Sequence, residues 1–207
     1  MERDLTSGSV FRNVIYFSLP YFLSYFLQTL YGMADLFIVG QFDGVASTTA
    51  VSIGSQVMHM LTVMIVGLAM GATVSIGQSI GAGDKKRASV FVGNTVILFM
   101  GISLVLAVLL LFFVKPTVAV SGTAAYLTIC FLGIPFITAY NVISSIFRGL
   151  GDSKSPMYFI AVACAVNIIL DYLFIGFFHL GASGAALGTT LSQACSVLFA
   201  LIAIKRK

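Results

Sequence analysis

The stretch "AVACAVNIILDYLFIGFF", residues 161–178, is apolar enough to sit in lipid, yet it carries Asn167 and, four residues on, Asp171. A transmembrane helix needs about 20 predominantly apolar residues, and a charged Asp near its middle costs about 2.5–3.5 kcal/mol on insertion scales. Such a carboxylate is tolerated when it is protonated, holds a cation or faces a wet cavity. The rest of the chain must supply one of these.

Composition points the same way. Hydrophobic residues make up 59% of the 207 positions, charged residues 9%, and mean hydropathy is +1.06. A soluble domain carries roughly 25% charged residues, so the sequence predicts a membrane protein. The pI of about 9.1 does not point to nucleic acid, because the basic residues fall between apolar runs and not on one module. Cys130, Cys164 and Cys195 all lie inside apolar runs. Their odd number argues against a disulfide framework, and no metal-ligand spacing is present. The first apolar run is far longer than the core of a signal peptide and is read as a retained span.

Six spans are expected, at 14–39, 46–76, 88–114, 123–147, 156–178 and 184–204, making one all-α transmembrane unit over residues 1–207. The second is long and is expected to end early, in the small-residue stretch "GATVSIGQSIGAGD". Lys and Arg set the direction. Arg3, Arg12, Lys85, Lys86, Arg87, Arg148, Lys154, Lys205, Arg206 and Lys207 share one side, and the other side has only Lys115. Both termini are therefore expected in the cytoplasm of a cell with this chain in its cytoplasmic (inner) membrane. Pro116 follows span three and Pro156 opens span five, whereas Pro20 and Pro135 lie inside spans one and four and should kink them. Gly67/Gly71, Gly77/Gly81 and Gly184/Gly188 have the spacing that lets helices approach closely.

Polar residues recur at helical spacing. Span one carries Ser24, Gln28, Tyr31 and Asp35; span two Ser52, Gln56, His59 and Thr62. Span four carries Thr138, Asn141, Ser145 and Arg148; span five Asn167 and Asp171; span six Thr189, Ser192 and Ser196. Span three has almost none. Any one stripe is explained by ordinary helix packing. Five together predict a polar interior with span three at the periphery.

Depth singles out one cluster. Asp35 lies about 6 Å below the outer end of span one, Asp171 about 10 Å below that of span five, and Thr189 about 8 Å into span six. Asn167 is one turn deeper on the face of Asp171. These four side chains have two uses. Desolvation and a second nearby carboxylate both raise a carboxyl pKa, which makes a proton site. The same oxygens also make a cage for a hard cation such as Na+.

The chain resembles the N-terminal half of the multidrug and toxic compound extrusion (MATE) transporters across nearly all of its length. The resemblance rests on "LPYFLSYFLQTLYGMADLFIVG", "GQSIGAGDKKRA", "FRGLGDSKSPM", "NIILDY" and "LGASGAALGTTLSQ", in that order and spacing. It implies one six-helix lobe of a twelve-helix transporter that exports organic cations in exchange for Na+ or H+, with no other cofactor. It implies that Asp35, Asn167, Asp171 and Thr189 match the cation-coupling positions. Pro20 matches a proline whose helix is proposed to bend on protonation, and Gln28, Tyr31 and Asn141 match positions lining the drug cavity. The expected partners are organic cations, membrane lipids and a second lobe, either the other half of a longer chain or another copy, because alternating access needs two lobes. The join at "KPTVAVSGTAAYL" is several residues shorter than the family's.

Two other readings are open to the residues. A flippase for lipid-linked precursors, from the same wider superfamily, would want a more basic cavity to hold pyrophosphate. Here Arg148 sits at a helix end, and no span has a Lys or Arg near its middle. "GLGD" at 149–152 matches part of an intramembrane aspartyl protease pattern, but its partner motifs are missing and Asp152 falls in a loop. It reads better as a helix stop and turn, so no enzyme is expected.

Overall fold

The computed structural model describes residues 8–117 and 122–206. Six helices follow one another: α1 Val10–Phe42, α2 Gly44–Gly81, α3 Lys85–Thr117, α4 Thr123–Gly149, α5 Lys154–Asp171 and α6 Gly181–Arg206. All six are long and apolar enough to cross a membrane. In lipid the backbone must satisfy its own hydrogen bonds, and a helix does so within one segment.

The turns explain where the helices stop. α1 and α2 are separated by Asp43 alone, with Gly44 at φ +77°. α2 does not end early. It runs through the small-residue stretch to Gly81, and the chain reverses at Gly83, whose φ of +76° a side chain would resist. Small residues alone do not stop a helix in lipid, because the freed backbone groups would have no water to turn to. α3 extends to Thr117, so Pro116 falls within its last turn. The join at 115–127 includes residues 118–121, which lie outside the described residues. α1 and α4 continue through Pro20 and Pro135 without a break.

α4 is the hub. It packs against α2, α3, α5 and α6, and most of its residues are buried. Among the described residues, α3 touches only α2 and α4 and is peripheral, as the lack of a polar stripe predicts. α1 packs on α5 and α2. One apolar cluster, including Ile38, Val51, Tyr126, Phe131, Ile134 and Ile175, fills the half of the lobe away from the described ends of the chain. A second, with Tyr140, Phe147, Phe159 and Ile160, fills the half near them. Residues such as Ile97, Phe112 and Phe22 are exposed on the outside, as a lipid-facing surface requires.

Of the glycine pairs on α2, only Gly77 meets a neighbouring helix: a β-carbon there would stand 3.5 Å from Gly149 O. Gly67, Gly71 and Gly81 face open space. A β-carbon would instead collide at Gly54 with the Tyr126 ring, at Gly133 with Thr190, and at Gly149 with Ile76. The Gly184/Gly188 pair does sit at a contact, against Ile175 and Asp171.

One element has no counterpart in the sequence reading. Directly after Asp171 the helix widens into a π-helical segment, Tyr172–Phe177. The Phe178 N–H reaches Leu173 O at 3.0 Å and the Leu180 N–H reaches Phe174 O at 2.9 Å. Such segments recur at functional sites.

Candidate cation site

α1, α5 and α6 bring the four depth-matched residues together. Asp35 is 5% exposed, Asn167 1% and Asp171 0%. The Thr189 hydroxyl donates to Asp35 Oδ2 at 3.1 Å. Asp171 and Asn167 both lie within interaction distance of the Asp35 carboxyl. Yet Asp35 Oδ1, both Asp171 oxygens and both polar atoms of Asn167 are buried without a hydrogen-bond partner. The backbone of α6 closes in at Gly188, where a β-carbon would overlap Asp171 Oδ1.

Two buried carboxyl groups facing each other cannot both stay charged without something between them. No Lys or Arg is close by on these helices to play that part: the basic residues of α1, α5 and α6 are Arg12, Lys154, Lys205 and Arg206, all at helix ends. The chemistry that fits is a proton shared between the carboxyls, or a hard cation held by carboxylate, amide and hydroxyl oxygens. Among the described residues no group of three or more His, Cys, Asp or Glu forms, so a transition-metal site is not offered.

The other expected residues divide. Tyr31 is one turn before Asp35 on α1, partly buried, and its hydroxyl lies beside Gln193 of α6. Gln28 continues that face and lies beside Tyr140. Asn141 is buried, but its amide donates to Ile137 O at 2.8 Å within its own helix. Pro20 is fifteen residues from Asp35 on the same helix, about 22 Å away. The Ser24 hydroxyl donates to Pro20 O at 2.8 Å.

The five stripes do not all converge. Gln56 and His59 on α2 are exposed and turned away from the cluster, and the Thr62 hydroxyl bonds back to Met58 O at 2.8 Å. On α6 only Thr189 serves the cluster; the Ser196 hydroxyl ties to Phe159 O at 2.9 Å. Gln193, buried beside Tyr31, was missed although it stands four residues after Thr189. "GLGD" is a turn: Gly151 has φ +87°, and the Asp152 carboxylate accepts from Lys154 N, Ser155 N and Ser155 Oγ at 3.1, 3.0 and 2.6 Å.

Six membrane-length helices built around a buried acidic pair define a multi-pass membrane protein of the transporter class. The MatE family model matches residues 20–173. The chain is 34% identical over 213 residues to the probable multidrug resistance protein YpnP of Bacillus subtilis, covering 99% of this chain and 48% of that protein. It is 30% identical to the multidrug export protein MepA of Staphylococcus aureus, covering 93% and 45%. Among solved structures, an outward-facing multidrug resistance MATE family transporter of the MOP superfamily superposes with a TM-score of 0.90 at 28% identity, over 98% of this chain and 47% of that one. A MATE structure in the straight conformation gives 0.89 at 27% identity, over 98% and 47%. The chain belongs to the MATE family of transporters, not to an enzyme family. It spans about half the length of the curated relatives it matches.

Proposed function

We propose that the chain forms one six-helix lobe of a cation-coupled antiporter that exports organic cations, with both termini in the cytoplasm. The observation that carries this reading is the Asp35–Asp171 pair, buried, mutually close and without a basic partner among the described residues. Asp35, Asn167, Asp171 and Thr189 hold the coupling ion, H+ or Na+. Organic cations bind in a cavity to which Gln28, Tyr31 and Asn141 contribute, and a second lobe completes the pathway. The ion and the organic cation compete for the same negative charge, so loading one expels the other. Pro20 supplies the place where α1 flexes as the ion comes and goes, since a proline removes a backbone hydrogen bond inside the helix. The curated names of YpnP and MepA, which refer to multidrug resistance and multidrug export, agree with this class of substrate.

The test is cation release from the purified, reconstituted chain when a lipophilic cation such as ethidium is added. Wild type is expected to release H+ or Na+, and Asp171→Asn to release neither while folding normally. Equal release from both proteins would remove Asp171 from the coupling role.

A further inference from the structure

Among the described residues, Arg148 is a cation inside the lobe with no acidic side chain bonded to it. It stands in the last turn of α4, and its guanidinium carbon lies 5.0 Å from the centre of the Tyr21 ring on α1. The backbones of α1 and α4 do not come together, so this side chain bridges a gap. Its Nε is buried and has no hydrogen-bond partner. Tyr25 and Tyr140 lie within electrostatic range of it. The acid closest in sequence, Asp152, turns its carboxylate to Lys154 and Ser155. A guanidinium held only for packing would be expected to have an acidic partner, since an unpaired, partly buried charge is unfavourable.

A second cation stands nearby. Lys154, the first residue of α5, donates to the Tyr16 hydroxyl at 2.6 Å and lies 4.7 Å from the centre of its ring. Tyr16 and Tyr21 are five residues apart, about 7.5 Å along α1. The helix thus offers two aromatic shelves, about 140° apart around its axis, each beneath a cation that flanks the short α4–α5 connection. This is where α1 begins, α4 ends and α5 begins, at the edge of the apolar slab. Phe11, Val14 and Ile15 in the first turns of α1, and Tyr158 in the second turn of α5, are exposed.

We propose that Arg148 and Lys154 form a binding site for a phosphate-bearing anion, the headgroup of an anionic phospholipid in the leaflet on this side of the membrane. A guanidinium matches phosphate with two parallel hydrogen bonds, and tyrosine hydroxyls add neutral donors. One phosphodiester charge offsets the Arg148 guanidinium, while Lys154 already has Asp152 within electrostatic range. The exposed apolar side chains of these helix ends give acyl chains a surface, which favours a lipid over a soluble ion. Basic pockets between helices at a membrane face have this lipid chemistry. The inference does not depend on the transport reading.

Native mass spectrometry of the full chain in detergent, with phosphatidylglycerol or phosphatidylcholine added in equal amounts, tests the proposal. Wild type is expected to retain phosphatidylglycerol preferentially. Arg148→Gln should weaken that retention about tenfold, the scale of one lost charge-assisted contact, and Lys154→Gln less so. The Lys85→Gln/Lys86→Gln control, at the start of α3, should behave as wild type. Equal retention by wild type and Arg148→Gln would overturn the site. Should Arg148→Gln fail to fold, Lys154→Gln and Tyr21→Leu decide, and unchanged retention in both overturns it. A parallel thermal-shift titration uses inorganic phosphate. Arg148-dependent stabilisation by phosphate, with no preference for phosphatidylglycerol, would overturn the lipid source and assign the site to a soluble anion.

Discussion

Gly188 of α6 lies directly against the carboxyl group of Asp171 on α5: a β-carbon at 188 would overlap Oδ1 and stand 3.6 Å from Asn167 Nδ2. The missing side chain is what lets the α6 backbone close over the acidic pair. Gly188→Ala must therefore displace either Asp171 or the helix. It is expected to destabilise the protein by about 1–3 kcal/mol, the range for overpacked cores, and to abolish ethidium-triggered cation release while helical content is kept. Release at the wild-type level would show that this contact does not hold the carboxyl in place.

Among the described residues, Thr189 is the one clear hydrogen-bond donor to the pair. Thr189→Val keeps the shape and removes the hydroxyl, leaving Asp35 Oδ2 without its 3.1 Å partner. An unsatisfied buried acceptor costs about 1–3 kcal/mol, so the variant should unfold at a lower temperature and bind the coupling cation with altered affinity. Thr189→Ser restores the donor and should sit near wild type in both respects. Thermal unfolding across a Na+ series, and separately across a pH series, measures this. If Val and Ser behave alike, the hydroxyl has no part in the site.

The acidic cluster was legible in the sequence because helices that cross a slab up and down convert distance from a span end into depth. Asp35, Asp171 and Thr189 fall at similar depths by counting residues, and the fold brings them into contact. The failure on α2 has the opposite cause. Spacing tells which residues share a face, and Ser52, Gln56, His59 and Thr62 do share one. It does not tell which face meets a neighbour, and Gln56 and His59 point out of the lobe. Gln193 also has helical spacing from Thr189, and spacing alone does not separate it from Ser192 and Ser196. The π-helical segment after Asp171 left no signal, because it is defined by which carbonyl the Phe178 N–H selects, and "YLFIGF" has no residue that dictates the choice.

The same distinction between spacing and contact separates the glycines. Gly67→Ala and Gly71→Ala place a methyl group in open space, and Ala is the better helix former by up to about 1 kcal/mol. Both should be neutral or mildly stabilising in detergent unfolding. Gly133→Ala meets Thr190 Oγ1 at 2.7 Å, and Gly149→Ala meets the Ile76 Cβ at 2.9 Å and Thr73 O at 3.0 Å. Both should lower the unfolding temperature, by an amount equivalent to about 1–3 kcal/mol. A uniform response across the four positions would mean that the α2–α4 and α4–α6 contacts are not packed as described.

Asp152 decides between two chemistries for the "GLGD" stretch. As a turn residue it binds the first N–H groups of α5 and the Ser155 hydroxyl, which otherwise have no intrahelical partners. Asp152→Ala should then cost about 0.5–2 kcal/mol, as for loss of a helix cap, and Asp152→Asn less, since its amide oxygen can still accept. Neither should alter Asp171-dependent cation release, because Asp152 lies at the opposite end of α5 from the acidic pair, about 28 Å away at 1.5 Å per residue. If instead Asp152 were the acid of an intramembrane protease, Asp152→Asn would leave stability nearly intact and abolish cleavage of an added transmembrane peptide. The three hydrogen bonds to Asp152 already commit its carboxylate to the turn, so wild type is expected to cleave nothing, and the loss in Asp152→Ala is expected in unfolding temperature alone.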